Sequence, residues 1–135
     1  MHMNPNVRKP INELLGNLTN VYLIEPLDYL SFLYIMRKSY LIMTDSGGVQ
    51  EEAPALGKPV IVMRNTTERP EAVDAGTAIL AGTETTMLTY IAEKLLDNNV
   101  FYTKMAHAIN PYGDGFAANR IAELIATGKM SNTFV

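Results

Sequence analysis

Three short, almost wholly apolar runs recur between segments of helical periodicity, and that alternation constrains this 135-residue chain more than any other feature. They are Tyr40-Leu41-Ile42-Met43-Thr44, Val60-Ile61-Val62-Met63 and Ala78-Ile79-Leu80. A strand with one wet face alternates apolar and polar residues. A run that is apolar at nearly every position needs cover on both faces, as strands of parallel sheets have. Val21-Tyr22-Leu23-Ile24 reads as a fourth strand. Strands alternating with helices imply the α/β class, a parallel sheet flanked by helices with right-handed crossovers.

The helical segments follow from spacing and punctuation. Pro26-Leu27-Asp28 opens a helix carrying Leu30, Leu33 and Met36 on one side. Val49 to Leu56 reads as another, stopped by Gly57 in the C′ position, with Pro59 two residues on. A polar loop is expected from Arg64 to Gly76. Thr83 is the expected N-cap of a helix whose Leu88, Ile91, Ala92, Leu95 and Leu96 form one stripe. A shorter helix is expected over Val100 to His107. After the break at Asn110–Gly115, a last helix around 116–126 puts Ala117, Ile121, Leu124 and Ile125 on one side.

Composition narrows the function classes. With 47% hydrophobic and 19% charged residues, the chain has the means to bury a core. Eleven basic residues stand against 14 acidic ones, for a net charge of −3, and no basic tract exceeds two residues (Arg8-Lys9, Arg37-Lys38). That argues against a nucleic-acid footprint. No cysteine is present, which excludes disulfides, thiolate zinc ligands and thiol catalysis. The apolar runs are far shorter than the ~20 residues that span a bilayer, and Met1–Pro5 does not look like a signal peptide. A cytoplasmic protein without membrane partners is the expectation.

The chemistry concentrates at Thr44-Asp45-Ser46-Gly47-Gly48-Val49-Gln50-Glu51-Glu52. Here a buried strand runs through two glycines into a helix. Helix starts present unpaired N–H groups and a partial positive charge, and glycines admit a ligand close to the backbone. The place is the C-terminal end of a strand, where open α/β sheets bind ligands. The spacing is neither G-x-G-x-x-G nor a P-loop. A capped helix with glycine in a tight turn is the competing reading, and spacing alone leaves both open.

Glu52 lies four residues after Gly48, on the same helical face and about 6 Å along it, within reach of a ribose. For Glu51, a favourable interaction with the helix start is explanation enough. Arg69, in Thr66-Thr67-Glu68-Arg69-Pro70-Glu71, sits in the loop after the next strand. That loop converges on the same crevice, so Arg69 either meets a phosphate or pairs with Glu68 or Glu71. Tyr112-Gly113-Asp114-Gly115 reads equally as a ligand loop or as plain turn chemistry. His2 and His107, far apart and without a carboxylate cluster, give no metal site.

Five blocks in register carry a resemblance: Pro26–Tyr29, Thr44–Pro54, Gly57–Val60, Thr67–Glu71 and Pro111–Gly115. The chain resembles the non-hydrolysing UDP-N-acetylglucosamine 2-epimerases from His2 to about Ile125. The resemblance implies a two-domain GT-B-like fold, of which residues 1–135 would be a partial C-terminal, UDP-binding Rossmann-like domain. It implies reversible conversion of UDP-N-acetylglucosamine to UDP-N-acetylmannosamine, by UDP elimination and re-addition, without a cofactor. The partners it implies are UDP and UDP-N-acetylhexosamines, and the setting is cell-envelope polysaccharide synthesis.

Residue by residue, the match places Ser46, Gly47 and Gly48 on the diphosphate and Glu52 on the ribose. Arg69 matches the family's substrate-contacting arginine, and Phe32 the uracil side. Leu27 departs from the Gln of many members. His2 matches a His-x-Asn-Pro block that in some members lies near a regulatory site, although a His-Met start can also be a cloning remnant.

The family's catalytic carboxylates and the first two strands of its C-terminal domain would precede Met1. On that alignment the four apolar runs are strands three to six of order 3-2-1-4-5-6, and the open edge at Leu41–Thr44 is filled either by the Val21 strand sliding beside it or, the favoured outcome, by a second copy in a homodimer. A hydrolysing epimerase, another nucleotide-sugar enzyme, or a non-catalytic nucleotide-binding or assembly module are the other readings.

Overall fold

The chain divides into two compact units, Met1–Ile35 and Met36–Val135, and a computed structural model describes residues 4–129. The first unit opens with helix α1, Pro5–Leu15. Asn4 caps it, accepting the Asn6 N–H at 2.9 Å, and Pro5 occupies the first helical position, where a missing N–H costs nothing. The sequence reading assigned no helix here, although Asn-Pro is a start signal. Arg8 forms an ion pair with Glu25 in the same unit.

Val21–Ile24 is not a strand. Its residues do alternate, with Val21 and Leu23 half-buried and Tyr22 84% exposed. A strand also needs a ladder, and no described strand pairs with this run. Helix α2, Tyr29–Lys38, follows. Asp28 opens it as expected, accepting the Ser31 N–H (3.1 Å) and hydroxyl (2.7 Å). Those bonds, the hydroxyl's first, hold its carboxyl below the ordinary carboxylate value. The boundary between the two units falls inside α2.

The second unit is a parallel three-stranded sheet in the order β1 (Ile42–Thr44), β2 (Val60–Val62), β3 (Ala78–Leu80). Residue 42 pairs with 60 and 60 with 78, so the strands end level. Helix α3 (Gly47–Ala55) connects β1 to β2, and α4 (Pro70–Asp74) connects β2 to β3. The second connection, expected as loop from Arg64 to Gly76, holds this short helix. Gly57 does end α3, with φ +66°, and a Cβ there would stand 3.2 Å from the Ala106 carbonyl oxygen.

Two right-handed crossovers running the same way across a sheet must lie on one face. The packing agrees. Val60 and Val62 point to a cluster with Ala53 of α3 and Ala72 of α4. Ile61 points the other way, to Ile91 and Leu95 of α5 (Thr85–Asp97) and Met105 of α6 (Asn99–Ala106). The residue before α5 is Glu84 rather than the expected Thr83, and it makes no side-chain cap bond. Asn98 caps α6 properly, accepting the Phe101 N–H at 2.9 Å. The last helix, α7, spans Ala117–Thr127 and buries none of its residues, leaving Ile121, Leu124 and Ile125 exposed. No described helix is long and apolar enough to cross a membrane.

Leu95 is fully buried under the sheet's second face, with no cap or ion pair to complicate its loss. Leu95→Ala removes that contact and leaves a cavity, and should cost about 2–5 kcal/mol, read from the urea midpoint of unfolding.

Candidate functional site

Level strand ends bring the loops after β1 and β2 to the same edge of the sheet, the edge where open α/β sheets bind ligands. The first loop is tied by Thr44, whose hydroxyl accepts the Ser46 N–H at 3.0 Å. Ser46 is then the N-cap of α3, in extended conformation, and its hydroxyl makes no capping bond. The first intrahelical bond is Gln50 N–H to the Ser46 carbonyl at 3.4 Å. The N–H groups of Gly47, Gly48 and Val49 therefore precede the helix's own ladder, as orphan donors do.

Two readings of the glycine pair were open, and the backbone separates them. Neither Gly47 nor Gly48 has positive φ, so no turn requires glycine there. A Cβ built on either meets nothing within 4 Å, so packing does not require it either. The internal structure leaves the pair unexplained.

Glu52 is half-buried on α3, one turn beyond Gly48, with no hydrogen bond or ion pair among the described residues. Arg69 stands at the start of α4. The carboxylate it pairs with is neither that of Glu68 nor that of Glu71. The Nε donates to the carboxylate of Glu51 on α3, and a guanidinium nitrogen donates to the Glu68 carbonyl at 3.0 Å. The hydrogen bond that Arg69 donates to Glu51, then that carboxylate's charge, raises the Arg69 pKa. Glu51, assigned from sequence only to the helix start, thus joins α3 to the loop after β2. The side chains are 35% and 40% exposed, so the pair adds little to folding stability.

An open groove of about 510 Å³ is lined by Glu51, Glu68, Arg69, Glu71, Pro111 and Tyr112. Three carboxylates and one guanidinium are among its lining groups. Orphan N–H groups at a helix start such as that of α3 can hold an anion.

The loop Asn110–Gly115 divides its labour. Asn110 takes the Tyr112 N–H at 3.2 Å, and Asp114 takes the Phe116 N–H at 3.0 Å and an Arg120 nitrogen at 2.8 Å. Those are turn and clamp bonds. Pro111 and Tyr112 face the groove, with the Tyr112 hydroxyl 3.5 Å from the Arg69 carbonyl and its pKa raised first by burial.

Sequence reasoning missed Gln50. It is fully buried, its Nε2 donating to the Ser46 carbonyl (3.2 Å) and its Oε1 accepting from the Thr67 hydroxyl (2.7 Å). The signal was present. Gln50 shares its helical face with Ala53 and Pro54, both buried, so a polar residue stands on the core side. Phe32 lies on α2 in the first unit, 38% exposed. His2 lies outside the described residues.

Residues 1–126 match the family model of UDP-N-acetylglucosamine 2-epimerase. The chain belongs to that family. It is 54% identical over 129 residues to the UDP-N-acetylglucosamine 2-epimerase of Campylobacter jejuni, covering 96% of this chain and 34% of that protein. Among solved structures, the Neisseria meningitidis UDP-GlcNAc 2-epimerase bound to UDP-GlcNAc is 55% identical with a TM-score of 0.86, covering 93% of this chain and 34% of that one. The S. aureus MnaA–UDP co-structure is 45% identical with a TM-score of 0.91, covering 100% and 38%. The epimerase family thus spans this chain almost entirely, and the chain spans about a third of the length of its curated relatives. The expected α/β class holds, and the structural neighbours are GT-B-like epimerases matched over part of their length.

The Asp114–Arg120 clamp carries a pH signature. The Arg120 hydrogen bond, followed by the Phe116 N–H, holds the Asp114 carboxyl far below its ordinary value of 3.8. A depressed carboxylate stabilises the fold above its unfolded pKa, and that contribution is lost as pH falls below it. Asp114→Asn should lower stability at neutral pH and flatten the loss below about pH 4, followed by circular dichroism during acid titration.

Proposed function

We propose that this chain provides the UDP-binding part of an isomerase that interconverts UDP-N-acetylglucosamine and UDP-N-acetylmannosamine. In that reaction UDP leaves C1 as a proton leaves C2, giving an unsaturated 2-acetamidoglucal. Protonation of the other face of C2 and return of UDP to C1 complete the inversion. The chain's task is to hold UDP through both steps, so that it does not diffuse away between them.

The observation that carries this reading is the start of α3. Three N–H groups precede the helix ladder beside an uncapped Ser46 hydroxyl, and neither glycine is required by conformation or packing. On this reading the diphosphate lies across Ser46, Gly47 and Gly48, Glu52 accepts from the ribose hydroxyls, and Arg69 meets the anion from the second loop. The UDP-GlcNAc and UDP bound by the Neisseria and S. aureus relatives support that ligand class.

Gly48→Ala separates ligand from fold. In a helix start with ordinary φ, alanine should stabilise folding by about 0.5–1 kcal/mol, read from the thermal midpoint. The same methyl should weaken UDP binding in calorimetry, as should Glu52→Ala and Arg69→Ala, each by about ten- to a hundredfold. Unchanged affinity in all three would place UDP elsewhere.

The assembly that we propose is a homodimer. β1 forms one edge of the described sheet, Met43 on it is 41% exposed, and α7 presents an apolar stripe. A second copy would pair or cover these surfaces. Light scattering across a concentration series should give about twice the 14.9 kDa chain mass, and a constant monomer would refute it.

A further inference from the structure

We infer that Gln50 and Glu51 are positioning residues for Arg69, a role that rests on the UDP-binding reading above. They are consecutive on α3, so they project to different sides of one helical turn. Each takes a different part of Arg69. Gln50 accepts from the Thr67 hydroxyl at 2.7 Å, and the same hydroxyl accepts the Arg69 N–H at 3.0 Å. That fixes the backbone. Glu51 takes the Nε, fixing the side chain.

The other end of the network is the phosphate turn. The Gln50 amide donates to the Ser46 carbonyl at 3.2 Å, one residue before the glycine pair. One unbroken series of hydrogen bonds therefore runs from Ser46 through Gln50 and Thr67 to Arg69. A single turn of α3 thus holds the loop 17 and 18 residues further along the chain, through Gln50 and Glu51 respectively.

The geometry leaves Arg69 ready for a ligand. Nε is given to Glu51 and one terminal nitrogen to the Glu68 carbonyl, while the second terminal nitrogen has no partner among the described residues. A guanidinium gripped along one side loses little further freedom when its other side meets an anion. The pair is too exposed to be explained by folding stability, whereas orientation needs only that the bond be formed. Gln50 is the reverse case: fully buried, with both ends of its amide bonded.

A double-mutant cycle on the chain separates positioning from other roles. Glu51→Ala should weaken UDP binding roughly tenfold in the parent chain and less than about twofold when Arg69→Ala is already present. Equal weakening in both backgrounds, or none in either, overturns the role of Glu51. Thr67→Val cuts the link to Gln50 without emptying the core position. It should give the same pattern, and weakening that persists beside Arg69→Ala overturns the role of Gln50.

A second measurement does not depend on UDP. The Arg69 Nε–H resonance, assigned by its loss in Arg69→Ala, should exchange slowly with solvent in the parent chain and at least about tenfold faster in Glu51→Ala. Fast exchange in the parent overturns the positioning role even if UDP binds. Slow exchange with no UDP binding sustains the positioning and sinks the UDP reading instead.

Discussion

The whole of the second unit depends on β2. Val60, Ile61 and Val62 are fully buried, and the strand is paired on both edges. A strand that is apolar at every position needs cover on both faces, so this triplet demands the layers around it. Its alternation then assigns them: Val60 and Val62 to α3 and α4, Ile61 to α5 and α6. Because successive connections move the same way across the sheet, the loops after β1 and β2 emerge side by side. The site is a consequence of the sheet's register, not an addition to it.

Level loops are not yet a binding site, since loop backbone is free to take many conformations. The buried amide of Gln50 removes that freedom. Left unbonded in the core, such a group costs about 1–3 kcal/mol, so only the loop conformation that brings the Ser46 carbonyl and the Thr67 hydroxyl to it is well tolerated. The polar residue acts as a selector of loop geometry. An apolar residue of the same size would fill the space and accept several arrangements of the Thr67 loop.

What the sequence disclosed follows the range of the interactions involved. β1, β2, β3 and α3 were legible because local pattern and Gly57 determine them. Val21–Ile24 carried the right alternation and failed as a strand because a strand is a relation between two segments, and no described segment supplies the ladder. α4 escaped because five residues between Pro70 and Asp74 are too few to display a helical period. α1 was announced by Asn4-Pro5 and carries Val7, Ile11, Leu14 and Leu15 at helical spacing, but Pro10 inside it is a breaker signal.

In the site, Ser46-Gly47-Gly48 was visible as composition. The pairing of Arg69 with Glu51 was not, because Glu68 and Glu71 are nearer in sequence and only the sheet makes Glu51 nearer in space.

The glycine pair shows where folding and binding part company. Two glycines in the first turn of a nine-residue helix each cost up to about 1 kcal/mol relative to alanine. Nothing within the fold offsets that cost, since neither the backbone angles nor the surroundings require them. At Gly57 the balance is the opposite: the left-handed backbone and the Ala106 carbonyl both demand glycine. The same residue type therefore serves the fold at one end of α3 and forgoes stability at the other. Forgone stability at the end with free N–H groups is what a site for close anion approach requires. The helix is anchored instead through Gln50, Ala53 and Pro54, on its buried face.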